Sequence, residues 1–290
     1  MINLHEDPEL FREAVNFTQS QTAFAARLIE KDYFCSVLLE YLATVSRGQF
    51  VFKGGTCLTK VYAGFYRLSE DLDFVIPTPV NATRSERSKR AEGMKKIVDS
   101  LSRAVACFRT VEPLRGGNKS TQYIGGVSYV SLISGQAESI KIEIGLREPL
   151  LTPTVEGKAE TVLIDPVSVQ PAVPAVSAAC ISLAEGIAEK FRAGLTRREV
   201  AIRDFYDIDH AVRILGIHVG DATLVKLVAQ KLAVPGNDPV NVSPARLAEL
   251  RGQLEARLRP VLRERELEAF SLERAFAIVT DMARAVEKQV

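Results

Sequence analysis

The chain has 290 residues, of which 47% are hydrophobic and 25% are charged, a composition typical of an ordinary globular protein. This length suits one large domain or two smaller ones. With a formal net charge of +1, the chain as a whole does not strongly attract nucleic acid or an anionic membrane. A nucleic-acid partner would therefore have to bind to a local basic surface. The sequence shows neither a secretory signal nor a membrane-length apolar run, and we expect a cytoplasmic protein without membrane contact.

Helices and strands alternate in the first part of the predicted structure. Apolar residues recur near a 3.6-residue period over 8–47, which predicts a helix that ends at Gly48. A short strand over 50–52 follows and enters a turn at Gly54-Gly55, after which a helix is predicted over 56–64. The chain is therefore expected to pass from a strand through a glycine turn into a helix.

Further strands are predicted on either side of a long helix. One strand covers 71–76 and ends where prolines begin. A strongly charged helix with a narrow apolar stripe is predicted over 82–107, and an antiparallel pair of strands over 123–133 and 139–146. In the second strand of this pair, apolar residues alternate with charged ones. These elements predict a mixed sheet.

The last part of the chain is predicted to be helical. A segment over 149–175, rich in proline, valine and threonine, precedes it and is predicted to be a linker with short strands. Ser182 with Glu185 forms a capping-box pattern before an apolar run. The predicted helices are 183–194, 200–215, 220–232, 244–258 and 266–288. We therefore expect an α+β protein with a mixed-sheet domain and N-terminal helices over 1–160, and an α-helical domain over 161–290.

The most informative residues are two carboxylates that lie one residue apart on the second predicted strand. Asp71 and Asp73 share a strand face with Ser69. Adjacent carboxylates repel each other, whereas a Mg²⁺ ion between them would use both as hard oxygen ligands and leave room for substrate phosphates. A solvated strand edge is the alternative interpretation of this pattern alone. Glu143 is a tentative third metal ligand, or else a solvated residue paired with Lys141.

The glycine turn before this strand is the second candidate feature. Gly54, Gly55 and Thr56 open a helix, whose free N–H groups and dipole would suit a triphosphate. A tight strand-to-helix turn explains the glycine pair equally well. Taken together with Asp71 and Asp73, however, the turn indicates metal-dependent nucleotidyl transfer.

Two further charged groups lie in the predicted helical domain. Lys190 is surrounded in sequence by apolar residues, from where it could reach solvent or a substrate phosphate. Asp204 and Asp207 follow Arg203, and Arg203 with Asp207 has the spacing of an ordinary helix ion pair. Taken alone, both groups are interpreted as structural.

Several motifs in a fixed order resemble the AbiEii/AbiGii toxin family, whose mycobacterial-type members are called MenT toxins. The resemblance extends from about residue 29 to residue 210. The matching motifs are Glu30-Lys31-Asp32-Tyr33-Phe34, Lys53-Gly54-Gly55-Thr56-x-Leu58, Arg67-x-Ser69-Glu70-Asp71-Leu72-Asp73-Phe74, Ala188-Glu189-Lys190 and Arg203-Asp204-Phe205-Tyr206-Asp207-Ile208. Ordered motifs of this kind are more specific than any one of them.

The resemblance implies a polymerase β-like nucleotidyltransferase that acts as the toxin of a toxin–antitoxin pair. Such a toxin would use Mg²⁺ to transfer NMP from an NTP to the 3′ acceptor end of tRNA, which blocks translation and growth, and a cognate antitoxin would neutralise it. The implied metal ligands are Asp71, Asp73 and, tentatively, Glu143. The implied nucleotide-binding residues are Gly54, Gly55, Thr56, Arg67, Ser69 and Lys190, and the implied catalytic residues are Asp71, Asp73, Lys190 and Asp204.

The acceptor is the least determined part of this hypothesis. Between residues 84 and 119 the chain has ten basic residues against four acidic ones, which suits either an RNA backbone track or an exposed charged helix. Two alternatives stay open, namely transfer to a protein or a small molecule, and a nucleotide-binding module without catalysis. The second is disfavoured, because a protein that only binds nucleotides has no need of the two carboxylates.

Overall fold

The structure, a computed structural model, describes residues 1–46 and 48–289 of the chain. Within it the chain forms two units, Met1–Ile181 and Ser182–Val290. Each unit is built from its own secondary-structure elements, and the sheet belongs entirely to the first unit. Among the described helices, none is long and apolar enough to cross a membrane.

Two helices open the first unit, α1 (Pro8–Thr22) and α2 (Ala26–Ser46). The single helix predicted over 8–47 is therefore broken. The physical reason is Ala23, which adopts a left-handed conformation with a φ of 60° and ends α1. Position 47 of that prediction lies outside the described residues. Unlike an ordinary surface helix, α2 is buried around most of its circumference, charged residues included.

The described strands of the first unit form one mixed sheet. They are β1 (Val51–Lys53), β2 (Leu72–Val75), β3 (Arg109–Gly117), β4 (Gln122–Val130), β5 (Ala137–Gly145), β6 (Val155–Ala159) and β7 (Val176–Cys180). Their order across the sheet is β3-β4-β5-β2-β1-β7-β6. β2 is antiparallel to β1 and parallel to β5, while β1 is parallel to β7. The predicted α+β class with a mixed sheet is confirmed.

The pairing of β7 with β1 explains where the first unit ends. Phe52 lies opposite Cys180 across this parallel pair, and the Ile181 N–H donates to the Phe52 carbonyl at 2.9 Å. β6 in turn pairs antiparallel with β7. The domain boundary predicted after residue 160 therefore precedes a strand of the sheet, whereas the structure divides the chain after Ile181.

The pair β4 and β5 has the antiparallel pairing that the alternating residues predict, with Val127 opposite Ile140. β3, by contrast, is absent from the prediction. It is an edge strand in which Leu114 is the one buried residue, it contains Pro113, and its register shifts opposite Gly126. An exposed, bulged edge strand lacks the alternation of apolar and polar residues that indicates a strand.

Two further helices of the first unit follow β1 and β2 in the chain. α3 (Gly54–Cys57) follows β1 directly and continues into a π-helical turn, Leu58–Tyr62. α4 (Arg84–Ala104) is the predicted charged helix with shorter ends, and Thr83 and Glu86 form its capping box. The residues that α4 buries are Ala91, Met94, Val98 and Leu101.

The described helices of the second unit follow one another without strands. The α-helices are α5 (Leu183–Thr196), α6 (Ile202–Arg213), α7 (Ala222–Leu232), α8 (Pro244–Arg251), α9 (Glu264–Ala269) and α10 (Leu272–Glu287), and a π-helical turn, Leu254–Leu258, and a 3₁₀ turn, Arg259–Val261, lie between α8 and α9. Ser182 caps α5, as predicted, by accepting a hydrogen bond from the Glu185 N–H at 3.2 Å. The helix predicted over 266–288 is divided, because Ser271 starts α10 as a new N-cap.

Candidate active site

The glycine turn between β1 and α3 lies against β2. Gly54 has a φ of 79°, in the left-handed region that favours glycine, and a Cβ atom added to it would lie 2.2 Å from Oδ2 of Asp73. The Thr56 hydroxyl donates to the main-chain oxygen of Asp71. The structure therefore brings the turn against the side chain of Asp73 and the main chain of Asp71.

Replacing Gly54 by alanine is expected to displace Asp73 and strain the turn. The change should lower the free energy of unfolding by about 1–3 kcal/mol and transfer activity by about 10²-fold, as measured by chemical denaturation and a transfer assay. Gly135→Ala is the matched control, because Gly135 also has a positive φ of 71° but no atom within 4 Å of an added Cβ. Equal losses of activity in both variants would contradict a role for the close approach.

Arg67 and Ser69 lie against the second glycine of the turn. A Cβ atom on Gly55 would lie 2.4 Å from Nη2 of Arg67 and 3.3 Å from Oγ of Ser69. The Arg67 residue is only 2% exposed, donates to the Leu68 carbonyl at 3.2 Å, and lies over the Tyr66 ring at 5.8 Å from its centroid. The site thus contains a buried guanidinium behind the turn and a half-buried hydroxyl beside it.

Asp73 lies on the central strand of the sheet, opposite Lys53 on β1 and opposite Glu143 on β5. Burial and the negative charge of Glu143 raise the pKa of Asp73 to about 6, while Lys53 and Lys141 act in the opposite direction. Asp71 raises this pKa further, although its own side chain is 42% exposed. The carboxylates therefore repel one another at a place where a cation would stabilise all of them.

Glu143 is held by two neighbours. The Gln122 side-chain amide donates to Oε1 at 2.6 Å, and the Lys141 ammonium donates to Oε2 at 3.2 Å. The same Lys141 nitrogen lies 3.7 Å from Oδ2 of Asp71. The pairing of Glu143 with Lys141, one of the two sequence interpretations, is thus observed, and Glu143 also faces Asp73. The sequence did not present Lys141 or Gln122 as candidate site residues. Lys141 could have been found, because it lies two residues before Glu143 on one strand and therefore on the same face of the sheet.

The two aspartates suit a metal ion that takes some of its ligands from the protein and the rest from a substrate. Within 1–46 and 48–289, no group of three or more His, Cys, Asp or Glu side chains is arranged to hold a metal by itself. Asp71 and Asp73 provide two carboxylates, and Mg²⁺ is usually bound by one or two carboxylates together with substrate phosphates. The donor set therefore suits a Mg²⁺ ion that arrives with a nucleotide.

Charged residues on α2 hold the segment that carries the carboxylates, a role that the sequence did not reveal. Nζ of Lys31 lies 3.0 Å from Oε2 of Glu70, and Nη2 of Arg27 lies 2.9 Å from the same oxygen. Burial alone would raise the pKa of Glu70, but Lys31 and Arg27 outweigh it and lower this pKa. Glu70 is thereby bound to α2, while Ser69 and Asp71 on either side of it lie at the glycine turn.

A buried ion pair anchors the helical segment that follows the glycine turn. Nζ of Lys60 lies 2.6 Å from Oδ1 of Asp32, and the two side chains are 0% and 2% exposed. Lys60 also donates to Ser36 Oγ at 2.9 Å and to the Glu160 carbonyl at 3.1 Å. These contacts connect α2 with the segment that begins at Gly54.

In the second unit, Lys190 on α5 and Asp204 on α6 are direct neighbours. Nζ of Lys190 lies 2.8 Å from Oδ1 of Asp204 and 2.8 Å from Oδ2 of Asp207. Arg197 approaches the other oxygen of Asp204 at 3.1 Å. Lys190, Asp204 and Asp207, which the sequence presented as two separate groups, thus form one charged cluster, to which the structure adds Arg197.

The fold resembles solved structures of bacterial proteins. The chain is similar to MenT4, a nucleotidyltransferase toxin from Mycobacterium tuberculosis H37Rv, with 18% sequence identity and a TM-score of 0.55 over 95% of this chain and 92% of that chain. It is also similar to JHP933 from Helicobacter pylori, with 16% identity and a TM-score of 0.52 over 92% of this chain and 94% of that chain. At these identities the likeness shows a shared fold.

A comparison with curated proteins found no match. The profile of a protein family does match, over residues 37–281, and its description is nucleotidyl transferase AbiEii toxin of type IV toxin–antitoxin systems. The matched range contains the glycine turn, Asp71, Asp73 and the Lys190–Asp204 pair. The chain therefore belongs to the AbiEii family of nucleotidyltransferase toxins.

Proposed function

We propose that this toxin uses Mg²⁺ and an NTP to add a nucleotide to the 3′ acceptor end of tRNA and thereby blocks translation and growth. The observation that carries the proposal is the contact between the turn and the segment of the two aspartates, in which Gly54 abuts the Asp73 carboxylate and the Thr56 hydroxyl donates to the main-chain oxygen of Asp71. Family membership provides nucleotidyl transfer and a cognate antitoxin. The requirement for Mg²⁺ and the tRNA acceptor belong to the proposal.

The triphosphate is proposed to bind where α3 begins. Main-chain N–H groups at a helix N-terminus favour phosphate oxygens, and the Arg67 guanidinium behind Gly55 adds a positive charge. The residues that would bind the nucleotide in this unit are Gly54, Gly55, Thr56, Arg67 and Ser69. When bound between Asp71 and Asp73, Mg²⁺ would neutralise phosphate charge and hold the reacting oxygens in position.

The reaction itself is a substitution at phosphorus. The terminal ribose hydroxyl of the acceptor attacks the α-phosphate of the NTP in line, a new O–P bond forms, and the bond to pyrophosphate breaks. The proton of the hydroxyl passes to a carboxylate such as Asp73, which lies beside the glycine turn. Catalysis of this type depends mainly on the positions of the groups and on neutralisation of their charge.

The surface proposed for the RNA backbone is formed by α4 and β3, which pack beside each other. Its exposed basic residues are Arg84, Lys89, Arg90, Lys96, Arg103, Arg109 and Arg115, and Lys119 is exposed directly after β3. Of these, Arg90 and Arg109 also donate to main-chain carbonyls, as does the half-buried Arg87. A phosphate contact through this surface would make RNA binding weaker as the salt concentration rises.

Lys190 and Asp204 are proposed to take part in transfer, and Lys190→Ala tests this. We expect transfer and growth inhibition to be abolished while the second unit stays folded. Because the change removes a cation from Asp204 and Asp207, circular dichroism and thermal unfolding are measured alongside activity. Lys226→Ala, at an exposed position of α7, is the control. A folded Lys190→Ala variant with full activity would remove Lys190 from the proposal.

The acceptor is tested by incubating the protein with each labelled NTP, Mg²⁺ and total RNA. We expect the label in tRNA, and none in tRNA whose terminal 2′,3′-diol has been oxidised with periodate, because the attacking hydroxyl is then lost. Label in protein or in a small molecule would favour the alternative acceptors. Label in no fraction, with active controls, would contradict catalysis.

A further inference from the structure

Lys141 places a positive charge between carboxylates of neighbouring strands. On β5 it lies two residues before Glu143, so both side chains extend from the same face of the sheet. Its ammonium nitrogen lies 3.2 Å from Oε2 of Glu143 and 3.7 Å from Oδ2 of Asp71, the residue immediately before β2. The nucleotidyl transfer described above assigns no role to this lysine.

The two carboxylates that Lys141 joins differ in how firmly they are held. The other oxygen of Glu143 accepts a hydrogen bond from Gln122 at 2.6 Å. Both members of the Lys141–Asp71 pair are in contact with solvent, with side chains 43% and 42% exposed. An exposed pair at this distance is weak and easily exchanged. Lys141 can therefore release Asp71 without breaking any buried contact.

We propose that Lys141 is a resident counter-ion of the carboxylate cluster. It neutralises Asp71 and Glu143 while no divalent cation is bound, yields Asp71 when the cation binds, and then pairs with the triphosphate of the nucleotide. The second half of this statement rests on the proposed function, since it requires that an NTP binds at the glycine turn. A lysine that served only to hold Glu143 would not have the first role.

The proposal predicts opposite effects on two binding equilibria. Removing the Lys141 charge eliminates a competitor for Asp71 and a repulsive charge, so a divalent cation alone should bind more tightly, by on the order of tenfold. The same change removes a partner of the phosphates, so a nucleotide should bind more weakly, again by about tenfold. A purely structural lysine would weaken both equilibria or change neither.

Isothermal titration calorimetry on the full chain tests both predictions. Mn²⁺ alone is titrated into wild type and Lys141→Met, and then an α,β-methylene analogue of each NTP is titrated at saturating Mn²⁺. Lys158→Met is the matched control, because Lys158 is an exposed lysine of β6, at the other end of the sheet, and bonds to Ser177 at 2.6 Å. It should change both dissociation constants by less than about twofold. Lys141→Arg retains the charge and should resemble wild type.

Each result supports or overturns part of the proposal. Unchanged or weaker Mn²⁺ binding by Lys141→Met, or no Mn²⁺ binding by either protein, would overturn the counter-ion role. Tighter Mn²⁺ binding with unchanged binding of the analogue would overturn the triphosphate contact. If wild type bound no analogue at all, the proposed function would fail, while the Mn²⁺ titration would still decide the counter-ion role.

Discussion

Asparagine in place of Asp73 should reduce nucleotidyl transfer by about 10³-fold or more without disrupting the fold. Asparagine has the shape of aspartate, but it offers no charged oxygen to a metal and cannot accept the proton of the attacking hydroxyl. Burial and Glu143 raise the pKa of Asp73 to about 6, which means that the folded protein disfavours the ionised form. At neutral pH the substitution should therefore leave the free energy of unfolding unchanged or slightly higher.

The comparison variant for this prediction is Asp99→Asn, which makes the same chemical change at an exposed position of α4. Transfer is measured with labelled NTP and tRNA, growth inhibition after expression in cells, and stability by chemical denaturation. Asp99→Asn should behave like wild type in all three assays. If Asp73→Asn kept more than about a tenth of the transfer activity, Asp73 would be neither a metal ligand nor the proton acceptor.

Local rules were sufficient to find the parts of the candidate site. Alternation along a strand placed Asp71 and Asp73 together, and the same alternation predicted the pair β4 and β5. A glycine pair before a helix indicated the turn. The contact between these parts follows from no local rule. That an added Cβ on Gly54 would lie 2.2 Å from Asp73 depends on how β1 pairs with β2.

What the sequence did not reveal depends on the pairing of distant segments. The first unit extends to Ile181 because β7 joins β1, and the five-residue sequence of β7 gives no sign of that partner. Lys141 gains its significance from Asp71, which comes from another strand segment. The break at Ala23 is local, but alanine is a good helix former, so its left-handed conformation has no signal in composition.

Methionine in place of Lys60 should destabilise the first unit by about 3–5 kcal/mol, because the Asp32 carboxylate would stay buried without its ion-pair partner. Methionine has a similar length and fills the space of the side chain, so the loss reports the charge rather than a cavity. The chain has seven tyrosines and no tryptophan, and Tyr206 is the one tyrosine of the second unit. Tyrosine fluorescence during urea unfolding therefore monitors mainly the first unit.

A second substitution separates the charge effect from loss of local contacts. Asp32→Asn in the Lys60→Met background removes the isolated charge but keeps an oxygen for the donors of Thr161 and Val162, at 3.2 and 3.0 Å. The double variant should thus be more stable than Lys60→Met alone. Lys158→Met, an exposed change in the same unit, should cost less than about 0.5 kcal/mol.

A Lys60→Met loss as small as that of Lys158→Met would show that the pair does not anchor the segment after the glycine turn. If the loss is large and the double variant recovers part of it, the charged residues of α2 gain a physical explanation. Asp32 would hold the helix that begins at Gly54, and Lys31 would hold Glu70 next to Asp71. The Glu30-Lys31-Asp32-Tyr33-Phe34 motif on α2 would then support the active site indirectly, by positioning the residues that are proposed to bind the nucleotide.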